Sequence, residues 1–418
     1  MTDISRERPY DEIDLSSRTF WAQPAPVREH SFAALRADRP LSWHPPVQDA
    51  LMDDEDDPGF WAVVRHADIV EISRRHDVFV SGQGVIFENI PEMFLETSQS
   101  FLATDPPRHT KLRTLVSKAF TPRQIAQISE RIEANTVAVV AELAAAGSGS
   151  DFVQACAAQL PLRVFADMVG VSEADREEVA EAAGAMVSWA DPEFLGDRDP
   201  LDVMFETQLV LLRHALALAE QRRSKPTGDL MSALVAAEVD GDRLLDEEIG
   251  AFFILLAVAG NDTTRQSMSH ALRALTTHPE QRAWLTADFG ARIDTAVEEF
   301  VRWATPVMTF RRTAVVDVDL HGTTVRAGEK VVMMYPSGNW DTDVFTDPAA
   351  FDLSRRPNPH LSFGGGGVHF CLGAQLARTQ LRAVFRELFR QIPDIRAGEP
   401  DYLTGNFIHA VRALPVTF

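Results

Sequence analysis

Cys371 stands where a glycine run gives way to a helical pattern. The stretch Phe363–Leu376, FGGGGVHFCLGAQL, sets four glycines ahead of Val368, His369 and Phe370, then the cysteine, then Gly373. From Leu372 to Arg390 the spacing of Leu376, Leu381, Phe385 and Leu388 is helical. A cysteine at a helix N-terminus meets free backbone N–H groups and the positive end of the helix dipole, and both favour a thiolate. The glycines let the main chain curl close to the sulfur, so that its amides can hydrogen-bond it. One thiolate cannot build a zinc site, which wants four ligands. It suffices as the axial ligand of a haem iron. The competing reading is a glycine-rich turn before an ordinary buried cysteine.

Other stretches carry chemistry of their own. In AFFILLAVAGNDTTR, Asp262 and Thr263 follow a run that reads as fully buried, a costly placement unless they are bonded or used. Thr263 can donate to the carbonyl of Ala259, loosening the helix and opening a groove, and Ala259–Gly260 is slim enough for a cofactor to approach. The bland reading is a helix with a polar kink. In DPPRHTKLRTLVSKAF, His109 and Arg113 share one helix face at i, i+4. Glu299 and Arg302 form an i, i+3 pair, weak evidence alone because such pairs are ordinary on helix surfaces.

Taken together, these stretches resemble the cytochrome P-450 monooxygenases, in the family's order and rough spacing from about Phe60 onward. FGGGGVHFCLG is similar to the family's haem-binding loop, with Cys371 matching the iron ligand and Phe363, His369 and Gly373 its companions. Phe363 lies eight residues before the cysteine, one more than the commonest spacing, a longer form that resembles a bacterial subgroup acting on sterols and methyl-branched lipids. The resemblance implies that His109, Arg113 and Arg312 bind the haem propionates, with Arg311 next door as the rival for the last role. It implies that Ala259 and Gly260 face the haem, that Asp262 relays protons, and that the Thr263 hydroxyl serves oxygen activation. It further implies that Glu299, Arg302 and Arg355 form a buried structural network under the haem loop. Val85, Ile86 and Phe94, in the long segment Ser81–Leu102, match a loop that lines the substrate pocket. Val307, Met308 and a hairpin tip at Phe407–Ile408 are further candidates for that wall, with core packing the equal alternative.

The elements that must position these residues are mostly helical. A helix from near Asp246 to about Thr277, about 32 residues and ~48 Å long, is enough to cross a large domain. Helices are also expected over Ala67–Arg75, Ile125–Ala146 and Asp151–Val169, and strands over Phe60–Val64, Val315–Leu320 and Lys330–Tyr335. Residues 1–58 read as irregular surface with short helices, and TGNFIHAVRALPVTF as a hairpin. The fold class is mainly α with a minor β region, the cytochrome P-450 fold with a long central helix over haem, in one domain spanning residues 1–418.

Composition sets the bounds. A 45% hydrophobic chain of 418 residues can bury a large core. Net charge of −21 argues against nucleic-acid binding. Two distant cysteines suggest no disulfide framework. The polar N-terminus is unlike a secretory signal, and the apolar run Ala251–Gly260 is too short to span a bilayer, so a cytoplasmic location is expected. Five Lys or Arg residues and no acid lie between Pro106 and Ser129, and Arg378, Arg382, Arg386 and Arg390 recur every fourth residue after the cysteine. Two basic patches on an acidic protein suggest docking of an acidic redox partner. For Arg390 a solvated helix face is preferred.

The implied reaction uses heme b and O2 to hydroxylate a hydrophobic substrate, with electrons from NAD(P)H. No stretch resembles a flavin or iron–sulfur domain, so ferredoxin reductase and ferredoxin are expected as separate partners. AGNDTTR, FVRWATPVM, SGNWD and PNPHLSFGGGGVHFCLGA look most like actinobacterial hydroxylases of methyl-branched lipids and sterol side chains, which oxidise terminal methyl groups. A terpenoid or macrolide hydroxylase is the alternative. A peroxygenase would not require the Asp262–Thr263 pair, and a non-catalytic haem protein needs no proton relay.

Overall fold

The computed structural model describes residues 8–48, 50–51, 54–91, 100–119, 122–189, 191–239 and 241–418. Its axis is the long helix Asp246–Thr277, as expected from the sequence. Three acids, Asp246, Glu247 and Glu248, occupy the first turn against the positive dipole end, and Glu248 accepts the N–H of Leu245 at 2.9 Å. Around this axis lie the helices Gln159–Val169, Arg176–Ser188, Pro200–Ser224, Phe289–Ala304 and Ala374–Gln391. The packing is aromatic: Phe253 meets Phe165 at 5.4 Å, and Phe300 meets Phe385 at 4.7 Å. Each fully buried ring contributes about 1.5–3 kcal/mol. The core therefore forms on the axis helix, which fixes where Ala259–Thr263 sit.

A five-stranded sheet lies to one side. Leu41–His44 runs antiparallel to Phe60–Val63, which is parallel to Lys330–Met334; Thr309–Ala314 follows antiparallel, and Phe79–Val80 closes the edge. Phe60–Val63 and Lys330–Met334 are buried throughout, the pattern of strands covered on both faces. Successive side chains on Thr309–Ala314 point to opposite faces, so Arg311 and Arg312 cannot serve one site.

Several local expectations need correction. The strand anticipated over Val315–Leu320 is only Val318–Leu320, paired with Thr323–Val325 in a separate ribbon, while the longer strand Thr309–Ala314 precedes it. Within residues 1–58 there is a 14-residue helix, Ala25–Asp38, and a strand, not only short helices. The terminal segment does not pair with itself. Val411–Ala413 pairs with Asp401–Tyr402, and Val416–Thr417 with Arg396–Ala397. Pro415, which has no N–H to donate, separates the two ribbons. Phe407 and Ile408 still lie in the tip, within residues 403–410.

Candidate active site

Gly373 is the N-cap of the helix Ala374–Gln391, two residues beyond Cys371. Burial raises the Cys371 thiol above its ordinary pKa, while the N–H groups of Gly373 and Ala374 and the charges of Arg113 and Arg378 oppose it. Those donors are placed for negative charge on the sulfur. The residue nonetheless remains exposed on one side, unlike Cys156, whose complete burial pushes its thiol up to about 12. Cys156 is an inert core thiol.

The extra glycine does not open the loop. Cys371 donates its N–H to the carbonyl of Phe363 at 3.0 Å, and the Phe363 ring lies 4.4 Å beneath the Arg378 guanidinium. Gly365, Gly366 and Gly367 pack against the helix His66–Arg74, while Gly373 supplies an N–H to the sulfur. A Cβ on Gly367, at φ +74°, would stand 2.3 Å from the Ser73 carbonyl oxygen. No other residue fits there.

Above the loop lies a cluster of donors. The rings of His109 and His369 are 4.5 Å apart. Both ring nitrogens of His109 and Nδ1 of His369 are buried without a well-formed hydrogen bond, and Nε2 of His369 meets Ser81 Oγ at 3.1 Å. Burial, then the charges of Arg312, His109 and Arg113, push the His369 imidazole down to about 2, so it is neutral. Arg312 is buried, and donates to the carbonyl of Arg311 at 2.7 Å. Buried cations and unfilled donors together call for an anion, and the paired propionates of a haem supply one. Arg113 is turned elsewhere: it donates to the carbonyls of Val368 (2.9 Å) and Phe370 (2.7 Å), clamping the cysteine loop. Arg311, on the opposite strand face, donates to the Glu88 carbonyl (3.0 Å), Asn89 Oδ1 (2.8 Å) and the Gln83 carbonyl. Strand alternation thus places Arg312, not its neighbour, beside the histidines.

The axis helix is unbroken, but its middle is slim, uncovered and polar. Thr263 Oγ1 donates to the Ala259 carbonyl at 2.8 Å, and Asn261 Nδ2 to the Ala257 carbonyl at 2.8 Å. Ala259 is exposed, and a Cβ on Gly260 would meet nothing within 4 Å. Asp262 is 2% exposed and ion-paired with Arg265. Burial raises the pKa of its carboxyl, with Arg265 pulling the other way.

Beneath the cysteine loop, Glu299 and Arg302 are fully buried and 2.7 Å apart. Glu299 also faces Arg355 Nε at 3.3 Å and accepts from the Asp352 N–H and Asn358 Nδ2. Arg302 donates to the carbonyls of Asn339, Pro348 and Ala350, and Arg355 to those of Thr346, Asp347 and Ala350. Every donor named except Arg355 Nε makes a hydrogen bond, so the network offsets most of the cost of its buried charge.

The anticipated wall is divided. Val85 and Ile86 are half-buried, and Phe94 lies outside the described residues. Thr305, at φ +37°, ends the helix Phe289–Ala304 and turns the chain so that Val307 bridges to Ile408. The Phe407 ring meets Phe310 at 5.7 Å. Met308 points away: its sulfur is buried 3.2 Å from Arg28 Nη1, among Phe20, Phe32 and Phe60.

The arginine stripe is neutralised rather than free. Arg378 is bidentate to Glu298 (2.6 and 2.8 Å), Arg382 pairs with Asp294, Arg386 with Glu133, and Arg390 with Glu387. Glu298 also meets His360 at 3.1 Å; burial works against its ionised form, but these partners hold its carboxyl at about 2. The sequence pattern missed Glu298, His360 and Glu88, because their partners are brought in from remote segments.

The sequence profile of the cytochrome P-450 family matches residues 61–289 and 292–391. The methyl-branched lipid omega-hydroxylase of Mycobacterium tuberculosis is 42% identical over 99% of this chain and 96% of its own. The steroid C26-monooxygenase of Rhodococcus jostii is 37% identical over 100% of this chain and 87% of its own. A Mycobacterium marinum cytochrome P-450 solved in complex with pseudoionone is 65% identical, with a TM-score of 0.95 over 98% of this chain and 99% of its own. With its cysteine loop, donor cluster and the uncovered middle of its axis helix, this chain belongs to the cytochrome P-450 family and is a haem-dependent monooxygenase.

Proposed function

We propose that the protein hydroxylates a terminal methyl group of a methyl-branched lipid or sterol side chain, using electrons from NAD(P)H passed through a ferredoxin reductase and a ferredoxin. The observation that carries the chemistry is the uncovered stretch Ala259–Thr263 of the axis helix, with a buried acid one residue from a hydroxyl. The substrate class is supported by the omega-hydroxylase and C26-monooxygenase relatives. Cys371 would hold the iron, and His109, His369 and Arg312 the propionates. The haem, when bound, activates O2, one atom going into a C–H bond and the other to water.

The chain's own residues divide the remaining work. Thr263 spends its proton on the Ala259 carbonyl, so its oxygen is left facing the opening as an acceptor that can hold a proton-bearing group there. Asp262, paired with Arg265, exchanges protons with solvent and passes them toward Thr263. Val85, Ile86, Val307, Phe407 and Ile408 exclude water and align the apolar substrate. Phe370, exposed beside Cys371, marks the face for the electron donor, where the half-exposed Arg108 and Lys111, paired with Glu248 and Asp242, could exchange those acids for ones on a partner.

A specific observation favours a second reading: the relative at 65% identity was solved with pseudoionone, a terpenoid ketone. Titrating the ferric holoenzyme with a methyl-branched fatty acid, cholest-4-en-3-one and pseudoionone, then identifying products with a surrogate ferredoxin system, separates the two. A low-to-high-spin shift and terminal hydroxylation with either of the first two supports the main reading. A response to pseudoionone alone replaces it with the second.

A further inference from the structure

Glu88 is 3% exposed, yet no part of the chemistry above uses it. Its carboxylate Oε1 accepts from Asn406 Nδ2 at 2.5 Å, while Oε2 is buried without a partner. A buried carboxyl with one unfilled oxygen costs stability unless something fills it. Burial pushes its pKa up, against the pull of the Asn406 bond and the charges of Arg311 and Lys330. As an acid it has an O–H to give, and as a carbonyl it can also accept.

The surroundings are those of a binding recess. Glu88, Asn406, Trp21, Trp189 and Arg18 line one small recess, and Asn406 and Trp189 also line a second with Asp191, Phe407 and Ile408. The polar pair thus sits where two candidate substrate loops meet, three residues beyond Val85 on one and one residue before Phe407 on the other. Both are anchored. Arg311 grips the Glu88 carbonyl and its own N–H bonds the Val85 carbonyl at 2.8 Å, while Thr309 Oγ1 donates to the Asn406 carbonyl at 2.9 Å. Side chains held this way are positioned before any ligand arrives.

We propose that Glu88 and Asn406 form a polar anchor for the neutral oxygen head, alcohol or ketone, of an otherwise hydrophobic substrate. This rests on the monooxygenase reading above and deepens it. The apolar body lies along Val187, Trp189, Phe407 and Ile408, and the head oxygen takes the hydrogen bond that Oε2 lacks. A headless hydrocarbon of the same shape leaves Oε2 unfilled and gains nothing there.

The test is a spin-state titration of the ferric holoenzyme with matched ligands: phytol against phytane, and cholest-4-en-3-one against cholest-4-ene. One hydrogen bond to the anchor should make each head-bearing ligand bind about tenfold more tightly than its hydrocarbon. Glu88→Leu should erase that preference while leaving hydrocarbon affinity within about twofold. Glu88→Gln, which keeps a donor and an acceptor in the same shape, should retain most of it. The reduced CO spectrum checks that each variant holds haem normally. Equal weakening of head-bearing and headless ligands in Glu88→Leu, or a wild type indifferent to the head, would overturn the anchor while leaving the lipid and sterol reading intact. No spin shift with any of the four ligands in the wild type would instead remove that substrate reading, and the anchor with it.

Discussion

The two faces of this protein handle buried charge in opposite ways. Beneath the cysteine loop, Glu299, Arg302 and Arg355 are held by one another and by a ring of backbone carbonyls. On the other face, His109, His369 and Glu88 each keep at least one buried polar atom without a hydrogen bond, and Asp262 has a single ion pair, with Arg265. A saturated network stiffens what it touches, whereas unfilled donors and acceptors await a ligand. The scaffold is therefore nearly saturated on one side and largely unfilled on the other. That asymmetry separates the residues that hold the site from those that use it.

The sharpest way to break this comparison is at the junction of the two faces. Cys371→Ala should abolish the thiolate-type Soret band of the reduced CO complex, since Cys156 is buried and inert. A mutant that kept the band would move the iron ligand elsewhere. On the saturated side, Glu299→Ala leaves two buried guanidiniums uncompensated and should cost about 3–5 kcal/mol, read as a fall in urea midpoint together with poor haem incorporation. A loss below about 1 kcal/mol would show that the network is not structural. On the unsaturated side, Thr263→Ala should leave stability and ligand affinity nearly unchanged, because its hydroxyl bonds only a helix carbonyl that water can reach. It should instead divert electrons to peroxide, lowering the ratio of product to NAD(P)H severalfold; unchanged coupling would remove Thr263 from the chemistry.

Two smaller tests sharpen the boundary. Glu298 titrates at about 2 when folded against an ordinary 4.5, so its contribution is fully present above about pH 4.5 and lost as pH falls through 2. The urea-midpoint difference between wild type and Glu298→Gln should stay constant from pH 7 to 5 and shrink below about 4.5. A difference that does not change with pH would mean the Arg378 and His360 contacts do not form in solution. Arg382→Ala, which breaks an exposed pair with Asp294, should change stability by no more than about 0.5 kcal/mol. A larger loss would make the helix stripe part of the scaffold.

Much of this site was legible in the chain because its geometry is local. The Cys371 position at a helix start, the Thr263 bond to Ala259 and the Glu299–Arg302 pair each depend on spacings of a few residues, which helix geometry converts directly into contact. The length of the axis helix followed from an apolar pattern and three acids at its start. Other features were decided only when distant segments met. Which of Arg311 and Arg312 faces the histidines depends on strand register, and a shift of one residue would exchange them. The basic stripe became neutral because Glu298, Asp294 and Glu133 come from helices packed beside it. The cysteine-loop glycines turned out to press on Ser73, some three hundred residues earlier in the chain. Glu88 carried no signal of its own in the segment Ser81–Leu102, and acquires a partner only where residues 403–410 bring Asn406 against it. Sequence alone determines contacts within a turn or a helix, since the backbone fixes them; the choice of partner across the fold belongs to packing, which only the tertiary structure decides.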